Sequence, residues 1–280
     1  MSTTSTASSS ASAALSEPSE LVVYRHALRT LNAAGAPYLV GGAYAFAHYT
    51  GVHRHTKDFD IFVRPTERDV ILSVLADAGY RTEVTFTHWL GKAFAGDVLI
   101  DVIFSSGNGL CVVDDEWFRH ARRAELLGVP VLLSPPEEMI WSKAFIMERE
   151  RYDGADINHL LHACGAGLDW KRLLARFDTH WPVLLSHLVL FAFAYPNARD
   201  RVPAWVLADL LRAAIAENAV APAGVCRGTL LSRQYLHDVR RHGYRDARLE
   251  GGGMTPDELA QWTQAFEVDD LGKRTGSRSK

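Results

Sequence analysis

With 280 residues, 48% of them hydrophobic and 22% charged, the chain has enough material for one large domain or two modest ones. A net charge of −3 argues against a protein that coats nucleic acid through global positive charge. Three widely spaced cysteines without a CxxC pair exclude a disulfide scaffold and fit free thiols in a reducing compartment.

Residues 1–18 are a Ser/Thr/Ala-rich tail without the charged start and apolar core of a signal peptide, and 269–280 are a second polar tail. Both are expected to be disordered, and the protein to be cytoplasmic. Helical spacing of Leu21, Tyr24, Leu28 and Leu31 predicts a helix over Glu20–Ala34, stopped at Gly35. A short buried strand, Tyr38–Val40, and a small-residue helix, Ala43–Tyr49, follow. Lys57–Val63 reads as the next strand. Pro65-Thr66-Glu67 opens a helix with Val70, Ile71, Val74 and Leu75 as its inner stripe. Further strands are expected at Tyr80–Phe86, Trp89–Phe94, Val98–Phe104 and Val129–Leu133, with Gly96-Asp97 as a turn.

After Ser134 the pattern is helical only: Pro136–Arg149, Asp156–Cys164, Trp170–Phe177, Trp181–Tyr195, Trp205–Ala216 and Pro256–Phe266. The expected class is therefore α/β (α+β), a mixed-sheet domain over 19–134 followed by an all-helical domain over 135–268. The stretch Trp181–Tyr195, broken by Pro182, Ser186 and His187, is too short to cross a bilayer.

The most informative stretch is YLVGGAYAFAHYTGVHRHTKDFDIFV, Tyr38 to Val63. Strand periodicity puts Asp58 and Asp60 on one face and Phe59 and Ile61 on the other. Paired carboxylates at the start of an apolar strand need a cation, and a pair of divalent metals supplies it. Asp101 is the lone charge in LIDVIF, and a neighbouring strand about 4.8 Å away would let it close a triangle with them; its alternative is a strand-end acid bonded to backbone amides. Asp97 has the same parity but sits in a turn. No EF-hand spacing and no Walker A motif is present.

Gly41-Gly42, a helix, Arg54-His55-Thr56 and Asp58-x-Asp60 together resemble the nucleotidyltransferases of the DNA polymerase beta superfamily, nearest to the bacterial minimal type that includes antibiotic nucleotidyltransferases and AbiEii-like toxins. The resemblance covers about the first half of the chain. It implies an NTP substrate, two Mg²⁺ ions on Asp58, Asp60 and Asp101, and release of pyrophosphate. It also implies an acceptor hydroxyl on a small molecule, on RNA or on a protein, and the slight acidic balance leans toward a small or cationic acceptor; a silent nucleotide-binding relative is the remaining alternative.

Gly41 and Gly42 are then a phosphate cradle or an ordinary strand-helix turn; in the nucleotide-binding reading Arg54 forks onto phosphate oxygens and Thr56 steadies the loop, and otherwise both are solvated turn residues. Lys143 lies on an inner helical stripe with Met139, Ile140 and Met147, and meets either phosphate or a structural acid such as Asp156. It belongs to a run that resembles the Lys…Arg…Asp-x-x-Asp element of the AbiEii-like branch, leaving Asp153 and Asp156 open between structure and function. His48, His53 and His55 do not have zinc spacing. The arginines from Arg227 to Arg248, interleaved with Tyr235 and Tyr244, are an RNA footprint or a solvated face.

Overall fold

A computed structural model of the chain describes residues 19–217, 224–233, 235–250 and 253–265; the expected tails and Phe266 fall outside them. Helix α1 (Ser19–Ala33) precedes β1 (Leu39–Val40), α2 (Gly42–Thr50), β2 (Asp58–Phe62) and α3 (Arg68–Asp77). The meander β3 (Arg81–Phe86), β4 (Leu90–Ala95), β5 (Val98–Ile103) follows, then α4 (Asp115–Arg119) and the hairpin β6 (Arg122–Leu126), β7 (Val129–Leu133). Helices α5 (Pro136–Ala144), α6 (Gly154–Cys164), α7 (Trp170–Phe177), α8 (Trp181–Ala194) and α9 (Ala204–Glu217) come next. The last described elements are β8 (Val225–Cys226), α10 (Tyr235–Arg241), β9 (Arg245–Asp246) and α11 (256–265).

Seven strands form one mixed sheet in the order β3-β4-β5-β2-β1-β7-β6. β2 runs parallel to β5 and antiparallel to β1, and β1 runs parallel to β7. One sheet face is sealed by α1 and α3, where Phe59, Ile61, Ile100 and Val102 pack in a core with Tyr24, Leu28 and Ile71. That same core continues into the helical half through Ile140, Ile157, Leu173 and Phe191, so the helices are joined to the sheet by packing.

Several expectations are corrected. The part after Ser134 is not purely helical, since β8 and β9 make a small parallel sheet. The inner stripe of α3 is Ile71, Leu72 and Leu75, with Val74 packed against the same core and Val70, expected inside, exposed. Helix α5 stops at Ala144, five residues early, and the chain doubles back through a Met147–Tyr152 bridge; Met147 is thus off its stripe. Through helical turns α7 and α8 form a 25-residue run, Trp170–Ala194, long and apolar enough to cross a bilayer by length and composition. Its Arg172 and Arg176 are committed to protein partners, pairing with Glu137, Glu138 and Asp114 and tying α7 to α5 and α4.

Candidate active site

Parallel pairing sets Asp60 directly opposite Asp101, and strand parity puts Asp58 on the same face. Oxygens of the three carboxylates lie within 4.8 Å of one another. Among the described residues this is the cluster able to hold a metal ion; His53 is exposed and His48 stacks edge-on to Tyr49 instead. Asp97 is exposed in its turn.

The cluster is electrostatically strained. Burial, then the charges of Asp58 and Asp101, push the Asp60 carboxyl up to about 7 against the partial relief of Lys143 and Arg151. Burial likewise lifts Asp101 to about 6, opposed by Lys92. Lys92 Nζ stands 3.8 Å from Asp101 Oδ1, near enough for charge attraction but too long for a hydrogen bond. Asp101 Oδ1 is therefore buried without one. A hard divalent cation suits this all-oxygen donor set and this orphaned atom.

Around the acids lies a cleft of about 520 Å³. Gly42 has φ +51° at the start of α2, and a side chain there would overlap Asp60 Oδ2. A side chain on Gly41 would overlap the Phe62 ring, which stacks on Trp117. Both glycines are needed to let side chains of β2 lie against the β1–α2 turn, whatever else the turn binds. Thr56 Oγ1 donates to the Asp58 carboxylate and, at 3.1 Å, to the Asp58 carbonyl; it braces the first acid.

Lys143, Arg54 and Arg151 form a cationic flank. Lys143 Nζ lies 2.9 Å from both Asp153 Oδ2 and Asp156 Oδ2. Arg54 pairs with Asp156 and stacks over Phe46 at 4.7 Å. Arg151 takes Asp153 in two hydrogen bonds of 3.0 Å, which together hold the Asp153 carboxyl below its ordinary range despite burial. Asp153 and Asp156 thus bind three cations at the cleft wall. Lys143→Met should lower stability by about 2 kcal/mol, because each acid loses one charged partner but keeps an arginine. A thermal or denaturant unfolding series reads this; unchanged stability would mean the pairs contribute nothing.

No protein-family model and no curated protein sequence matches the chain. Among the similar solved structures are antibiotic nucleotidyltransferases. The solution structure of the antibiotic-resistance factor ANT(2'')-Ia aligns at 18% identity over 60% of this chain and 96% of its own, with a TM-score of 0.42. The lincosamide antibiotic adenylyltransferase LnuA, bound to lincomycin, aligns at 14% over 51% and 96%, TM-score 0.36. A nucleotidyltransferase-like protein of Paracoccidioides brasiliensis aligns at 17% over 60% and 91%, TM-score 0.36.

Sequence reasoning missed the opposite wall. The chain's last described stretch returns to the sheet: Trp262 meets Phe86 and Trp89 edge to face at 4.9 and 5.4 Å, and Asn108 Nδ2 bonds Leu230 O at 2.8 Å. Lys92 also went unassigned, although its place was available from sequence, since the Gly96-Asp97 turn pairs Ala95 with Val98 and hence Lys92 with Asp101. The arginine run does not form one face. Arg248 is buried in an ion pair with Asp246, Arg233 grips Glu148 inside the cleft, and Arg245 pairs with Glu250.

Proposed function

We propose that the cleft transfers a nucleoside monophosphate from an NTP to the hydroxyl of a small-molecule acceptor. The observation that carries this is the convergence of Asp58, Asp60 and Asp101 on a sheet face that opens into a cleft with a cationic flank. The three carboxylates would hold Mg²⁺, two ions by the chemistry of such acid clusters, which when bound neutralise charge on the triphosphate and the departing pyrophosphate. Asp58 is oriented by Thr56, and Asp60 is seated against Gly42.

Phosphates lie toward the N-terminus of α2, whose dipole and backbone amides favour anions, and toward Arg54, Lys143 and Arg151 on the flank. The acceptor oxygen forms its bond to the α-phosphorus as the bond from that phosphorus to the bridging oxygen breaks, and pyrophosphate leaves. The Asp101 carboxylate takes the acceptor's proton. The cleft, with Arg233, Arg245 and Arg248 each committed to an acid, favours a small acceptor over RNA. The three cysteines are unpaired, in keeping with a reducing compartment such as the cytoplasm.

Incubation with each α-labelled NTP, Mg²⁺ and a cell extract should move label into the small-molecule fraction. Label appearing in RNA or protein instead would displace the acceptor class. An absence of Mg²⁺-dependent NTP binding by calorimetry would remove the enzyme reading altogether.

A further inference from the structure

Across the sheet from β1 to β3 the cleft changes chemistry. Gly41-Gly42 follow β1 beside β2, whereas Trp89 leads into β4 on the far side of β5. On this second wall stand Trp89, Asn108, Thr229, Leu230, Arg233 and Trp262. Trp262 is fixed from several directions. Phe86 and Trp89 meet it edge-on, Gly107 lies where a side chain would strike its ring, and the Arg233 guanidinium sits 4.6 Å from its centroid.

The acids of the cleft wall outside the triad are already paired. Outside the aspartate triad its acidic lining consists of Glu148 and Asp156 among the described residues. Asp156 is held by Lys143 and Arg54. Glu148 is held by Arg233 in two parallel hydrogen bonds of 2.8 and 2.9 Å, a bidentate arrangement that fixes both groups. A polycationic acceptor would bring ammonium groups against Arg233 and find, outside the triad that the metal takes, no carboxylate without an arginine or lysine on it. An uncharged molecule with a planar or apolar face gains from the aromatic wall and displaces no ion pair.

We infer that the acceptor is an uncharged, hydroxyl-bearing molecule with a planar or apolar face, seated against Trp262, and that the Arg233–Glu148 pair excludes polyamines. This rests on the nucleotidyl-transfer reading and narrows its acceptor.

The test is calorimetric binding to the protein saturated with Mg²⁺ and a non-hydrolysable ATP analogue. The probes are a panel of uncharged aryl glycosides on one side and tobramycin on the other. Members of the glycoside panel should bind. Trp262→Ala should weaken them about tenfold and Trp262→Phe should restore most of that loss, with the affinity for the ATP analogue unchanged in both. Arg233→Gln, which strips Glu148 of that arginine, should strengthen tobramycin about tenfold.

Tighter binding of tobramycin than of every glycoside to the unaltered protein would overturn the inference, as would a panel with no binder. A Trp262→Ala variant that loses the ATP analogue and keeps the glycosides would reassign the wall to the nucleobase. Failure of the ATP analogue itself to bind would sink the underlying nucleotidyl-transfer reading instead.

Discussion

Asp60→Asn should make the metal-free protein more stable at neutral pH while reducing nucleotidyl transfer at least about a thousandfold. Asp60 titrates near 7 in the fold against 3.8 for the free side chain, and Asp101 near 6. A carboxyl whose folded value is raised binds its proton more tightly in the native than in the unfolded state, so stability falls as pH rises between the two values. The metal-free protein should therefore lose stability from about pH 4 to about pH 7.

The carboxyls of Asp114, Asp153 and Asp246, all held low by arginine partners, act in the opposite sense. Their contribution is lost only as the pH falls through and below about 4. Removing the Asp60 charge should recover on the order of 2–4 kcal/mol at pH 8. Mg²⁺ should stabilise the unaltered protein increasingly as pH rises, because ligand carboxylates must shed protons, and should do little for the variant. Melting curves from pH 4 to pH 8 with and without Mg²⁺ read all of this. A flat profile, the same in both proteins, would show that the three acids do not share a field.

Gly42→Ala should be nearly as damaging to activity, for a steric reason. The left-handed backbone at φ +51° disfavours any Cβ by about 1–2 kcal/mol, and that Cβ would overlap the Asp60 carboxylate. Either the turn opens or Asp60 leaves the cluster, and transfer should fall at least about a hundredfold. Gly96→Ala is the control. Gly96 has a similar φ of +59° but nothing within 4 Å of a new Cβ, so that variant should lose stability and keep its Mg²⁺ affinity. Equal Mg²⁺ affinities for the two variants would show that contact with Asp60 is not what Gly42 is for.

The acid cluster was legible because two rules with fixed periods place it. Strand parity puts Asp58 with Asp60, and the apolar run around Asp101 marks an interior strand. Helix limits at α7 and α8 were equally open to periodicity. β6 was not: Arg122–Leu126 is an edge strand with both arginines exposed, so it shows no alternation of apolar side chains. Helical spacing marked Lys143 as needing a partner but not the reversal at Met147–Tyr152 that brings both Asp153 and Asp156 to it. Nor does any local pattern record that Arg233 meets Glu148, or Trp262 the β3–β4 hairpin, since those contacts join segments far apart in sequence.

That distance has a consequence during synthesis. Asn108, on the second wall of the cleft, must wait for Leu230, 122 positions later. At about 5–20 residues per second the delay is roughly 6–24 s. Throughout it the sheet can already be folded on the ribosome, with its carboxylates open to water on the side where Trp262 will stand. On the proposed reading, a nucleotide caught by the nascent chain would meet no seated acceptor until the final described helix docks.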